Sequence, residues 1–154
     1  MVTINMKHLV PDDISNLHGL TLNMAFGIHV FGWKWYKRAT DGMPFCLLDS
    51  KPQRNRKLND EYFRHIGDGR YVAKSLPKFD TRLKSMIDLA VSLETKQQQR
   101  RYMQWLEDEV GSADHFVLTT TGAEKRCRAY LKMALDEKIK AAQEIKKEEK
   151  AEAA

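Results

Sequence analysis

Two kinds of residue in this chain could do chemistry: isolated nucleophiles or ligands, and a basic segment interleaved with aromatics. Cys46 and Cys127 are the only cysteines, and neither belongs to a CxxC pair. Arg126 and Arg128 flank Cys127 and would lower its thiol pKa if the sulfur were exposed, but its place on an apolar helical stripe predicts burial. The histidines His8, His18, His29, His65 and His115 are scattered, with no HxxxH or HExxH spacing to gather an ion. His18 and His29 stand eleven residues apart on one expected helix, about three turns, too far to share a metal. No metal or cofactor site is expected.

Carboxylates offer little more. Glu107, Asp108 and Glu109 form an acidic triplet, and Asp12-Asp13 and Asp60-Glu61 form pairs. Acid/base catalysis needs two carboxylates whose surroundings push their pKa values apart, whereas a triplet beside Gly111 reads as solvated charge at a turn. GxSxG, Walker A and dinucleotide fingerprints are absent. The expectation is a protein that is not an enzyme. An enzyme of unrecognised type would have to use Glu107, Asp108 or His115, gathered with His65 in one pocket.

The basic-aromatic segment carries more. The chain holds 26 Lys+Arg and 21 Asp+Glu in 154 residues, a net charge of +5. Residues 51 to 78 contain eight bases and three acids, an excess equal to that of the whole chain. Aromatics stack on bases or nucleotides while Arg and Lys neutralise phosphate, so Arg54, Arg56, Lys57, Tyr62, Arg64, Arg70 and Tyr71 are the candidate binding residues. The same charge suits an acidic protein face, or a solvated loop. Trp33 and Trp35 alternate with Lys34 and Tyr36, which predicts both tryptophans facing the core and Tyr36 facing outward.

The elements that must position these groups read as one α+β domain over residues 1–142 with a charged extension over 143–154. Asp12 or Asp13 is expected to cap a helix after Pro11, with Ile14, Leu17, Thr21, Met24, Ala25 and Ile28 on its buried face and Gly32 as its stop. Strands follow over Trp33–Lys37 and Pro44–Leu48, then a polar loop over 49–61. Tyr62–Ile66 and Arg70–Lys74 read as strands around a Gly67-Asp68-Gly69 turn. A second helix places Leu83, Met86, Ile87, Ala90 and Leu93 inward. Residues 102–110 read either as a continued helix, which propensity favours, or as a strand paired with His115–Thr120. Thr121 and Glu124 have capping-box spacing before a final helix with Cys127, Tyr130, Leu131, Ala134, Leu135, Ile139 and Ala142 on its stripe. Beyond Gln143 the chain is a solvated helical extension or a fraying tail.

Three blocks in this order resemble the small bacteriophage proteins of the phage ABA-sandwich family. They are VFGWKWY at 30–36, LPKFDTRLKSMIDLAVSL at 76–93 and RCRAYLKMAL at 126–135. The long basic segment 51–61, the wording Phe79-Asp80-Thr81 and the charged tail depart from that pattern. The resemblance implies an antiparallel sheet of four to six strands packed against helices, and a hairpin over 102–120. It implies little about activity, because that family is largely without assigned chemistry. With no catalytic constellation in the sequence, the expectation is a non-enzymatic phage accessory protein in the cytoplasm of an infected bacterium, binding a host component to interfere with defence or regulation. A host protein is the expected partner, and a nucleic-acid or nucleotide-binding module using 51–74 is the alternative. The longest apolar stretch, Leu22–Tyr36, is interrupted by Asn23, Gly27, His29, Gly32 and Lys34 and falls short of the ~20 residues a membrane span needs. The N-terminus has one basic residue and no long apolar run, so no signal peptide is expected. The tryptophans and the PFCLL edge leave a homodimer open.

Overall fold

The computed structural model describes residues 2–4, 6, 8–48, 63–73 and 78–153. Its strands are β1 (Val2–Ile4), β2 (Lys34–Lys37), β3 (Pro44–Leu48), β4 (Phe63–Gly67) and β5 (Arg70–Ala73). Its helices are α1 (Pro11–Ile14), α2 (Gly19–Phe31), α3 (Leu83–Val91), α4 (Lys96–Val110), α5 (His115–Thr119) and α6 (Ala123–Ala153). The strands form one antiparallel sheet in the order β1-β2-β3-β5-β4. This is the α+β fold expected from the sequence, with helices packed on the sheet and a long C-terminal helix.

Alternation along β2 and β3 decides where the core lies. Trp35 opposes Cys46, and both are fully buried. They meet Leu22, Ala25 and Phe26 of α2, Met86 and Leu89 of α3, and Cys127, Leu131 and Leu135 of α6 in one apolar cluster. Phe79 joins this cluster from the approach to α3, its ring 4.6 Å from Phe26 and 5.8 Å from Trp33. Buried Asn23 and Asp80 fasten the same junction reciprocally. The Asn23 amide donates to the Asp80 carboxylate at 2.9 Å, and the Asp80 N–H donates to Asn23 Oδ1 at 3.1 Å.

The first helix is broken where continuity was expected. α1 ends at Ile14, and α2 begins only at Gly19, which takes φ +53. Neither Asp12 nor Asp13 is the N-cap: α1 starts at Pro11 with Val10 in that place, and Asp13, inside the first turn, accepts the Val10 N–H at 2.9 Å. The break resets the helical phase, so α2 buries Leu22, Ala25, Phe26 and His29 and leaves Thr21 exposed and Met24 and Ile28 half-buried. Gly32 closes α2 with φ +72, as its position predicted. The phase of α3 differs likewise: Met86 and Leu89 are buried while Leu83 and Ile87 are exposed.

Residues 102–110 continue α4 and His115–Thr119 form α5, which corrects the hairpin that the family resemblance implied. The Thr95 hydroxyl caps α4 by accepting the Gln98 N–H at 3.1 Å, and Gly111 at φ +75 closes it. Tyr102 and Leu106, four residues apart, then bury one face against Leu118, Ala129 and Met133 in a second cluster. Propensity and packing agree here, so a strand has nothing to gain.

α6 runs unbroken to Ala153, so residues 143–153 are a helical extension, exposed throughout. The expected capping box at its start is not the observed arrangement. Thr121 Oγ1 donates back to the Val117 carbonyl at 2.8 Å, and the Glu124 carboxylate accepts from Arg128. No described helix is long and apolar enough to cross a membrane.

Candidate functional site

Strand register sorts the candidate binding residues onto two faces of the sheet. Lys34 opposes Leu47, Tyr36 opposes Phe45, Leu47 opposes Val72, and Val72 opposes Arg64. Residues directly opposite share a face, so these side chains, with Arg70 two positions before Val72, lie on the side away from Trp35 and Cys46. We call this the outer face. Tyr36 and Phe45 are half-buried there, their rings 5.7 Å apart and within 29° of parallel. Lys34, Arg64 and Arg70 are exposed around an apolar middle of Leu47 and Val72. The five described strands carry four Lys or Arg and no Asp or Glu. In sequence, Asp49 directly follows β3 and Asp60-Glu61 precede β4, all outside the described residues, and two further acids stand in described turns. Asp41 is paired with Arg38 at 2.9 Å, and Asp68 stands between β4 and β5.

Of the residues expected from sequence to bind a partner, Arg64 and Arg70 are thus together on the outer face. Tyr71 is not with them. It opposes His65 on the inner face, lies 5.0 Å from that ring and packs against the main core cluster. The reason is strand alternation: a residue next to Arg70 must point the other way. Arg54, Arg56, Lys57 and Tyr62, and the loop over 49–61, lie outside the described residues. Tyr36 and Phe45 were not among the expected binding residues. The signal for them was present in KWYK and PFCLL, but only pairing in register puts the two rings side by side.

Both cysteines and Glu109 are buried, whereas Asp108, His115 and His65 are exposed and Glu107 is half-buried. Burial pushes the Cys46 thiol up to about 12, and burial, with the nearby Asp80 and Glu124 charges adding and Arg128 opposing, raises the Cys127 thiol well above its ordinary range, so both are inert at neutral pH. Glu109 is not a solvated turn charge. Its side chain is 7% exposed and lies between the Arg128 guanidinium, at 3.0 Å, and the Lys132 ammonium. Arg128 also pairs with Glu124, and Lys132 donates to Ser15 Oγ at 2.8 Å. Bonds from Arg128 and then from His18 hold the Glu124 carboxyl below its usual range. The Ser15–Lys132 contact is thus part of the ion-pair cluster that Lys132 forms with Glu109. Arg126 caps the end of α5, donating to the Thr121 and Leu118 carbonyls at 2.9 Å each. Among the described residues no group of three or more His, Cys, Asp or Glu is placed to hold a metal ion.

His29 is the one buried histidine, its Nε2–H donating to the Met6 carbonyl at 2.7 Å. It lines a cleft of about 590 Å³ together with Phe31, Leu89, Tyr130, Glu137 and Lys138. Burial lowers its pKa below 6.5, the Met6 bond opposes the shift, and the nearby Lys138 charge adds to it. The folded state therefore prefers neutral His29, and its contribution to stability is present above pH ~6.5 and lost as pH falls towards the lowered value. Urea unfolding at pH 7.5 and pH 5.5 checks this: the wild-type midpoint drops on acidification, and His29→Gln shrinks the drop. An equal drop in both would show that His29 does not titrate differently on folding.

No protein-family model, curated protein or solved structure matches this chain, so the reading of its function rests on the residues and geometry above.

Proposed function

We propose that this chain is a non-enzymatic binding protein that takes an acidic partner on the outer face of its sheet. The observation that carries the reading is the grouping of Lys34, Arg64 and Arg70 with the Tyr36–Phe45 pair on strands that contain no acid. Such a face attracts anionic surfaces over a Debye length of about 8 Å in physiological salt and gives them an aromatic surface to rest on. The resemblance of residues 30–36, 76–93 and 126–135 to phage proteins supports placing it as a phage accessory protein. Its partner would then be a component of the bacterial host, and its effect interference with defence or regulation.

Affinity capture from bacterial lysate, with and without nuclease, tests the reading. The wild-type chain is expected to retain a stoichiometric partner, and Arg64→Ser/Arg70→Ser to lose most of it. Both substitutions are at exposed positions, so the fold is expected to survive them within ~0.5 kcal/mol each. Undiminished capture by the double variant would remove the outer face from the contact surface.

A further inference from the structure

We infer that the cleft floored by α6 is a docking site for a basic amphipathic helix of a partner protein: its apolar side chains enter the cleft while its bases meet a stripe of glutamates that continues the floor. This surface is separate from the outer face of the sheet and does not depend on the reading given to that face. The cleft holds about 590 Å³, within the ~300–1,000 Å³ of binding pockets. Tyr130, Met133, Ala134, Glu137, Lys138 and Ala141 form its floor, one face of α6 over about three turns, or ~16 Å. One wall is the end of α2, with His29 and Phe31, and the other is Leu89, Leu93 and Glu94 at and beyond the end of α3. Phe31, Leu93 and Tyr130 are half-buried, so apolar area remains open to a guest. A straight floor one helix face wide suits the i, i+3, i+4 and i+7 anchors of an amphipathic helix.

Charge selects the sign of the guest. Glu144, Glu148 and Glu152 follow Glu137 at about two, three and four turns, so they prolong the floor as an acidic stripe. Ile145 stands beside them, 56% exposed. Lys146 and Lys150 lie on the opposite side of α6, with Lys147 and Glu149 on its two flanks. Glu94 in the wall completes five carboxylates, set against one ammonium in the cleft, Lys138. None of the five makes an ion pair among the described residues. Glu144, Glu148 and Glu152 repel one another along α6, and a row of bases on a partner would remove that repulsion. They recur every ~6 Å, the rise between bases four apart on a second helix. His29 adds an acceptor: its Nε2–H is donated to the Met6 carbonyl, so the neutral ring leaves Nδ1 to accept an N–H of the guest. A second copy of this chain does not fit the pattern, because a two-fold contact through this face would lay glutamates against glutamates.

Fluorescence anisotropy with the full chain tests this, using a labelled peptide of about 18 residues with leucine and lysine at amphipathic helical spacing. One control peptide replaces its lysines by glutamate, and a second scrambles the order so that no apolar face forms. The amphipathic basic peptide is expected to bind at least about tenfold more tightly than either control. Glu144→Gln/Glu148→Gln/Glu152→Gln changes exposed positions and keeps good helix formers, so circular dichroism is expected to stay as in the wild type. Its binding is expected to weaken at least about tenfold and to respond less to salt. Glu137→Lys, inside the cleft, is expected to weaken binding by at least about as much, while Lys146→Gln/Lys150→Gln, on the opposite side of α6, does not weaken it. Absence of binding, equal affinity for the scrambled peptide, or wild-type affinity in the triple variant overturns the inference. A loss in Lys146→Gln/Lys150→Gln equal to that in Glu137→Lys overturns it too. Sedimentation of the chain alone is expected to show a monomer. A dimer that Glu137→Lys dissociates would put a second copy in the cleft and overturn the inference as well.

Discussion

Glu109→Ala is expected to destabilise the protein by about 3–5 kcal/mol, the loss that follows when one partner of a buried ion pair is removed and the others stay behind. The side chains of Arg128 and Lys132 are 9% and 4% exposed, so neither can turn to water when the carboxylate goes. Arg128 would keep Glu124, whose side chain is 43% exposed and a weaker counter-ion for it. Lys132 would keep only the Ser15 hydroxyl and the face of Trp105, its Nζ 5.7 Å from that ring centre. Glu109→Gln retains shape and one acceptor and is expected to cost less than Ala. Urea denaturation reads both variants. A loss under 1 kcal/mol for Glu109→Ala would mean that water reaches the cluster and the cations are solvated. The cluster joins α4, α6 and the α1–α2 junction, so its failure is expected to loosen the helical layer as a unit.

Trp35→Ala is expected to cost a similar 3–5 kcal/mol for a different reason, the cavity left by a large buried ring. Trp35 is fully buried beneath α2, and its Nε1 makes no hydrogen bond among the described residues. Trp35→Phe is therefore expected to lose well under half as much, since it gives up volume but no polar contact. The helix that covers the ring is shaped for it. A Cβ on Gly27 would lie 2.9 Å from Trp33 Cε3 and 3.1 Å from Trp35 Nε1. Trp33 is held by Phe31 at 5.0 Å and by Phe79 at 5.8 Å, so it is not free to swing aside. Gly27→Ala would gain ~1 kcal/mol of helix propensity and lose ~1–3 to overpacking, a net destabilisation. Chemical denaturation of the three variants checks the set. A neutral Gly27→Ala would show that α2 can lift off the tryptophans at no cost.

By itself the sequence determined the elements that local chemistry can dictate. Gly32 stops a helix because it accepts the left-handed conformation, and Gly67-Asp68-Gly69 turns one strand into the next. PFCLL reads as β3 with the same limits, and KWYK sends Trp35 inward and Tyr36 outward by alternation alone. Burial of both cysteines followed from the apolar segments around them. These are short-range statements, and they transfer from residue types to structure without knowledge of neighbours.

The tertiary structure decided what depends on which segments surround a residue. α6 was legible as an amphipathic helix, but Arg126, Arg128 and Lys132 on it are buried, because α1, α2 and α3 pack on one side of it while α4 and α5 pack on the other. Glu109 became a core counter-ion for that reason, although its neighbours in the triplet make it look like surface charge. The break between α1 and α2 rotated the buried face of α2 away from the stripe a continuous helix would present. The candidate binding surface is the clearest case. Arg64 and Arg70 were legible from the basic segment, but Tyr36 and Phe45 join them, and Tyr71 leaves them, only through strand pairing. A register is set by long-range hydrogen bonds, and one step along a strand moves a side chain to the opposite face.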